Sequence, residues 1–278
     1  MKLIIDAMGG DNAPLEIVKG ALSGQKRWGV DVTLTGDTTA ILQALEACGE
    51  KTLPQGMEIV HTTETVEMCD DPATVFRRKK DTSMGVGLTM LRDGRADAMV
   101  SAGSTGALLT GATLIVKRIR GIRRAAMAPV IPTTTGQAVL IDCGANAECT
   151  PEYLVQFAYL GSYYAHRVLG VERPRVGLLN IGTEDSKGTD LQKETLRWLR
   201  EAHTAGHLNF IGNIEAKEAI KGGCDVIVCD GFSGNVLLKT MEGVGSFAGS
   251  ALKAMFKKNL LTKLAALCVM PGLNAFKA

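Results

Sequence analysis

Short β-branched runs alternate with helical patterns along nearly the whole chain, and six of those runs end in loops of one composition. The strand-like runs are residues 2–6, 32–35, 57–60, 98–100, 138–141, 175–180, 208–211 and 226–229. Between them, apolar residues recur at i, i+3 and i+4 in residues 14–28, 38–47, 83–92, 105–117, 151–168 and 190–202. Pro14 and Pro151 suit first helical positions, where a missing N–H costs nothing. Strands joined by crossover helices predict an α/β fold, a mainly parallel sheet covered on both faces. Residues 126–135, with Pro129 and Pro132, predict an edge strand or a loop entering residues 138–141. No repeat or low-complexity linker divides the chain, which predicts one compact α/β catalytic body over residues 1–242.

Residues 243–278 differ. They hold no Asp or Glu but five lysines, leaving 26 Lys and Arg against 29 Asp and Glu in the body. Leu252, Phe256, Leu260 and Leu264 recur every fourth residue, a helical stripe. Such a basic, apolar tail suits burial in a dimer or core. The alternative is docking on a membrane surface or a partner. No run approaches the ~18 apolar residues of a membrane span, so a soluble protein is expected. The seven cysteines are odd in number and lack C-x-x-C spacing, which fits reduced thiols in the cytoplasm. The net charge of +2 does not point to nucleic acid.

In open parallel sheets, ligands bind beyond the carboxyl ends of strands. There the chain carries Asp6-Ala-Met-Gly-Gly-Asp-Asn-Ala-Pro14, Ser101-Ala-Gly-Ser-Thr-Gly106, Asp142-Cys-Gly-Ala-Asn146, Asn180-Ile-Gly-Thr-Glu-Asp-Ser-Lys-Gly-Thr189, Gly212-Asn-Ile-Glu215 and Asp230-Gly-Phe-Ser-Gly-Asn235. Glycine lets backbone N–H groups approach a ligand, hydroxyls add donors, and helix N-termini add unpaired N–H groups. The set therefore reads as an anion site. The plainer alternative is that each loop only caps its helix, because Ser, Thr, Asp and Asn are the favoured caps. Walker and dinucleotide signatures, the nucleophile elbow and zinc spacings are missing, and His203 and His207 read as surface histidines. No metal or organic cofactor is expected. Lys187, in a glycine-framed loop, is the cation best placed to reach a bound anion. Arg77-Arg-Lys-Lys80 and residues 117–124, ending in Arg123 and Arg124, are solvated faces or docking sites for an acidic partner.

Five of the six loop motifs, all but the one at 212–215, together with Arg78-Lys-Lys-Asp81, closely resemble the bacterial acyl-carrier-protein:phosphate acyltransferases, the PlsX family, in colinear order. Members of that family usually continue past this point with another Gly-rich segment, so a shortened form is the expectation at Ala278. The resemblance implies a three-layer Rossmann-like sandwich related to phosphate acetyltransferases and isocitrate-type dehydrogenases. It implies a homodimer that converts acyl-carrier protein and inorganic phosphate into acyl phosphate. That product would pass to a membrane glycerol-3-phosphate acyltransferase, which suggests a cytoplasmic enzyme peripheral to the inner face of the cell membrane.

The residues suit this chemistry by their own nature. Phosphate is already a nucleophile, so the demand is to hold an anion beside a thioester and stabilise the oxyanion that forms. Backbone N–H groups at Gly9, Gly10, Gly103 and Gly106 can bind phosphate, and Lys187 can neutralise charge. Asp6, Asp11, Asn12, Ser104, Thr105, Asp230 and Ser233 complete the expected substrate-binding set. Asn146, Asn213 or Asn235 can donate to the oxyanion. Three other readings remain: a coenzyme A-dependent phosphate acetyltransferase, a non-catalytic phosphate- or nucleotide-binding module, and a peripheral membrane scaffold whose function is its tail.

Overall fold

A computed structural model describes residues 1–259, 261–263, 265, 266, 269 and 272. The chain divides into two compact units, Met1–Ala125 and Ala126–Ala278.

In the first unit, β1 (Lys2–Asp6), β2 (Asp31–Gly36), β3 (Met57–His61) and β4 (Ala98–Val100) form a parallel sheet in the order β3-β2-β1-β4. Helices α1 (Leu15–Trp28) and α2 (Thr38–Ala47) pack Val18, Ala21, Ile41 and Leu45 against Val32 and Leu34. Helices α3 (Val75–Arg78), α4 (Ser83–Arg92) and α5 (Thr105–Gly111) gather Val75, Met84, Leu88 and Ala107 in a second cluster. The expected helix over residues 105–117 is α-helical to Gly111 and then π-helical over Ala112–Val116. Pro14 stands just before α1 as its cap, rather than as its first residue.

In the second unit the order is β5-β6-β9-β7-β8, with β5 (Val130–Thr133), β6 (Gly136–Ile141), β7 (Val176–Leu179), β8 (Phe210–Ile214) and β9 (Val226–Val228). Only β5 is antiparallel, and it lies at the edge, where Pro132 removes no needed donor. Side-chain alternation divides the strands between two cores. Val139, Ile141, Val226 and Val228 meet α6 (Pro151–Leu169) and α7 (Asp190–Thr204) through Leu154, Phe157, Leu196 and Leu199. Ala138, Leu140 and Ile227 meet the opposite layer, which includes Leu237, Leu238 and Met241 of the last long helix, Gly231–Lys257. A fully buried Leu or Phe contributes roughly 1.5–3 kcal/mol, so each face is held by several such side chains.

The helix α8 (Ala216–Glu218) is short, and the long helix α9 (Gly231–Lys257) runs unbroken across residue 242. Its apolar face packs on the sheet at Leu237, Leu238 and Met241 and continues beyond them mostly exposed. Val244, Phe247, Leu252 and Met255 are exposed, and Phe256 is half-buried. Leu260 and Leu264 of the expected stripe lie outside the described residues.

One strand differs from expectation for a clear reason. The run at 208–211 ends at Gly212, which reads as a loop glycine. Gly212 instead sits at φ 103° inside β8, where the register jumps from Val176↔Phe210 to Gly177↔Gly212. The extra residue is a β-bulge, and the strand continues through Asn213 and Ile214. The fifth of the six expected loops is therefore mostly strand. The sixth is the first turn of α9.

Candidate active site

In the first unit the chain leaves β1 toward α1 on one face of the sheet and leaves β4 toward α5 on the other. Such a reversal between neighbouring strands opens a crevice at their carboxyl ends. Asp6, 1% exposed, ties the two loops together. Its Oδ1 accepts from the Met8 N–H at 3.3 Å, and its Oδ2 accepts from Ser101 Oγ at 2.7 Å. Ser101 Oγ in turn accepts from the Gly103 N–H at 3.1 Å. A Cβ at Gly9 would lie 2.7 Å from Asp6 Oδ2 and 2.8 Å from Gly103 N, so only glycine fits. Ser104 caps α5, its Oγ accepting from the Ala107 N–H. Asp6, Gly103 and Ser104 thus already have internal partners. Asp11, Asn12, Thr105 and Gly106 remain at the exposed surface, with Gly10 half-buried at φ 105°.

The second unit carries Asn146, Lys187, Asn213 and Asn235. Asp142, fully buried after β6, is the hub of its loop. Its Oδ1 accepts from the N–H groups of Met127 at 2.9 Å and Cys143 at 2.6 Å. Its Oδ2 accepts from the Asn146 N–H at 2.7 Å and from Asn146 Nδ2 at 2.9 Å. Asn146 is thereby turned toward Asp142, and its carbonyl accepts from the Gly231 N–H at 2.8 Å. Asp230 caps α9: Oδ1 accepts from the Ser233 N–H and Oδ2 from Ser233 Oγ, both at 2.8 Å. The capping alternative therefore describes Asp230 and Ser233 as well as Ser104. Asn235, one turn on, is exposed beside Gly144, whose Cβ would lie 3.6 Å from the Asn235 amide. Asn146 and Asn235 follow the neighbouring strands β6 and β9.

Lys187 follows β7. It is exposed and has no ion-pair partner among the described residues. Asn213 sits beside Leu178 in the β7–β8 ladder. It is buried, and its Nδ2 donates to the Glu184 carbonyl at 3.0 Å. All four residues thus belong to the carboxyl edge of one sheet, but only Lys187 and Asn235 face solvent. Asp142 and Asn180 were not singled out from sequence. The signal was an Asp or Asn as the first residue past a strand, with glycine close behind.

Of the basic run, Arg77, Arg78 and Lys80 are exposed. Lys79 is tied down, its Nζ donating to Asp70 Oδ2 at 2.6 Å and the Thr65 carbonyl at 2.9 Å. Arg123 and Arg124 are exposed in the irregular segment that ends the first unit.

Burial pushes the Cys143 and Cys229 thiols up, the second strongly, and takes Cys224 up to about 12. These thiols stay protonated, which disfavours a cysteine nucleophile. Among the described residues, no group of three or more His, Cys, Asp or Glu is placed to hold a metal ion. No helix among them is long and apolar enough to cross a membrane.

A family model described as fatty acid synthesis protein matches residues 1–278. The phosphate acyltransferase of Alkaliphilus oremlandii is 47% identical over 277 residues, covering 100% of this chain and 81% of that protein. The phosphate acyltransferase of Brevibacillus brevis is 46% identical over 279 residues, covering 100% and 81%. Among solved structures, a phosphotransacetylase from Streptococcus pyogenes aligns with a TM-score of 0.67 at 20% identity, over 88% of this chain and 82% of that one. That likeness supports the α/β fold.

Proposed function

Since the chain belongs to the fatty acid synthesis protein family, we propose that the acyl group it transfers to phosphate comes from the thioester of an acyl-carrier protein. It is an acyltransferase with phosphate as acceptor, serving lipid synthesis. The observation that carries the transfer step is that Lys187, exposed and without an ion-pair partner among the described residues, and the exposed Asn235 amide follow neighbouring strands of one sheet. A phosphate oxygen attacks the thioester carbonyl carbon, forming the C–O bond and an oxyanion. The oxyanion collapses, the C–S bond breaks, and the thiolate takes a proton from water. A thiol is far more acidic than an alcohol, roughly 8.5 for cysteine itself, so the thiolate leaves readily.

Lys187 is assigned to the charge of phosphate and Asn235 to the oxyanion, where one preorganised donor is typically worth about 3–4 kcal/mol. Asn146 supports the loop from its bond to Asp142. Backbone N–H groups around Gly9 and Gly10 are a further anion-binding feature of the first unit. Incubating the protein with acyl-carrier protein or acyl-coenzyme A and labelled phosphate tests the donor. Acyl phosphate formed only from the carrier thioester supports the reading, and efficient turnover of acyl-coenzyme A alone sinks it.

Acyl carriers are acidic, and Arg77, Arg78 and Lys80 form the exposed docking group of this reading, with Arg123 and Arg124 a second. Exposed charges are screened over about 8–10 Å at physiological salt. Raising salt should therefore raise KM for the carrier several-fold with little change in kcat. Arg77→Glu with Arg78→Glu should mimic high salt. A flat KM in both experiments would make these residues ordinary solvated charges.

The exposed face of α9 suits weak attachment to anionic lipid, next to the enzyme that consumes the product. Leu252 and Met255 offer apolar area, each inserted side chain contributing roughly 1.5–3 kcal/mol. Lys253, Lys257 and Lys258 can meet head groups. Vesicles rich in anionic lipid should sediment the protein, and salt or Leu252→Glu should release it with activity kept. A homodimer that covers this face makes the opposite forecast: wild type ignores vesicles, and Leu252→Glu elutes as a monomer.

A further inference from the structure

We infer that Asn213 is a positioning residue for Lys187, acting through the loop that carries the lysine rather than on substrate. The inference rests on the role given to Lys187 above. Two donors converge on one acceptor, the Glu184 carbonyl: the Lys187 N–H at 3.1 Å and Asn213 Nδ2 at 3.0 Å. The other side of Lys187 is held as well. Asn180 Nδ2 donates to the Lys187 carbonyl at 3.2 Å, while Asn180 Oδ1 accepts from the Ile181 N–H at 2.8 Å. Both peptide groups flanking the Lys187 Cα are therefore fixed, one through β7 and one through β8.

The stem of Lys187 runs over a bare glycine: a Cβ at Gly182 would lie 3.0 Å from Lys187 Cγ and 3.3 Å from its Cε, with Glu184 Oε2 beside them at 2.7 Å. A lysine has four rotatable carbons, and its ammonium is placed only as well as its backbone is.

Asn213 is suited to this and not to substrate. It is 9% exposed, and its Oδ1 has no hydrogen-bond partner, so the bond to Glu184 is what orients the amide. Turning the amide over would set its oxygen against the Glu184 carbonyl oxygen, which is repulsive. The β-bulge at Gly212 brings Asn213 into a strand paired with β7, and rigid strands hold geometry better than loops.

A double-mutant cycle tests the inference, with kcat and KM measured on a thioester that the wild-type chain turns over. Asn213→Ala should lower kcat about ten-fold or more, because small misplacements of a reacting group are costly. KM for the thioester should stay within about two-fold. In a Lys187→Ala background, the same substitution should cost less than about two-fold, since nothing remains to be positioned. Asn180→Ala should repeat the pattern from the other side of the lysine, and it decides the matter if Asn213→Ala does not fold. Losses that multiply, or an Asn213→Ala enzyme near wild-type kcat, would overturn the inference alone. A Lys187→Ala enzyme with wild-type turnover would overturn the role of Lys187 and the inference with it.

Discussion

Lys187→Ala is expected to lower kcat/KM at least about a hundredfold while the melting temperature stays at that of the wild type. The separation of the two effects follows from where the side chain stands. Lys187 is exposed and makes no ion pair among the described residues, so its removal leaves no buried partner uncompensated. The loop keeps its form through backbone and asparagine bonds, which the substitution does not touch. On the role proposed for Lys187, what is lost is the cation that meets the phosphate. Its effect is felt when phosphate approaches the thioester and again at the oxyanion. Lys187→Arg should recover only part of the rate, because a planar fork cannot take the place of a compact ammonium. Trapping acyl phosphate with hydroxylamine gives the rates, and circular dichroism gives the melt. A variant within about five-fold of wild type would return Lys187 to the solvated surface.

Much of the local structure was legible in the sequence. The α2 and α4 helices fall at 38–47 and 83–92, as periodicity predicts, and β1 and β4 fall at 2–6 and 98–100. In each of these the apolar spacing is kept along the whole element, in the helix at 83–92 even across Gly85 and Gly87. Pro129 and Pro132 allowed an edge strand or a loop, and β5 is the edge strand. Strand β8 was misplaced because glycine in a pattern has two meanings, an end or a bulge, and only the partner strand decides between them. The division at residue 125 left no mark in composition. Two parallel sheets in succession produce the same alternation as one long sheet.

The site was legible as chemistry and less so as geometry. Loops of Gly with Asp, Asn, Ser or Thr locate the carboxyl edges, but composition does not say which polar atoms are already bonded. Asp6, Ser104, Asp230 and Asn146 bond within the protein and shape the loops. Asn213 was one of three asparagines that composition offered as an oxyanion donor, and its Nδ2 donates into the lysine loop. Hydrogen-bond partners fifteen to a hundred residues away, such as Ser101 for Asp6, are invisible to a pattern read along the chain.

Alanine should act in opposite directions at two glycines of the same helix, and the first of these carries the larger effect on stability. A Cβ at Gly234 would collide with the Asp142 carbonyl oxygen and lie 3.1 Å from its carbon and 2.9 Å from Cys229 Sγ. The obstacle is backbone, so α9 would have to lift by about an ångström, and overpacking of this kind costs about 1–3 kcal/mol. Lifting also strains the Gly231–Asn146 bond of 2.8 Å, worth about 1 kcal/mol, since Gly231 already faces Asn146 with no room for a side chain. A loss of about 3 kcal/mol in a unit of this size lowers the melting temperature by roughly 6–12 °C. Asn235 moves with the turn, away from Gly144, so kcat should fall even at temperatures where Gly234→Ala remains folded. Gly245, three turns on, meets nothing within 4 Å. Alanine there only removes the backbone freedom of glycine in a helix, which stabilises by about 0.5–1 kcal/mol. Melts of the two variants beside wild type decide the matter. If Gly234→Ala melts within about 2 °C of wild type, α9 does not press on Asp142. If Gly245→Ala melts lower than wild type, its face of the helix is covered rather than open.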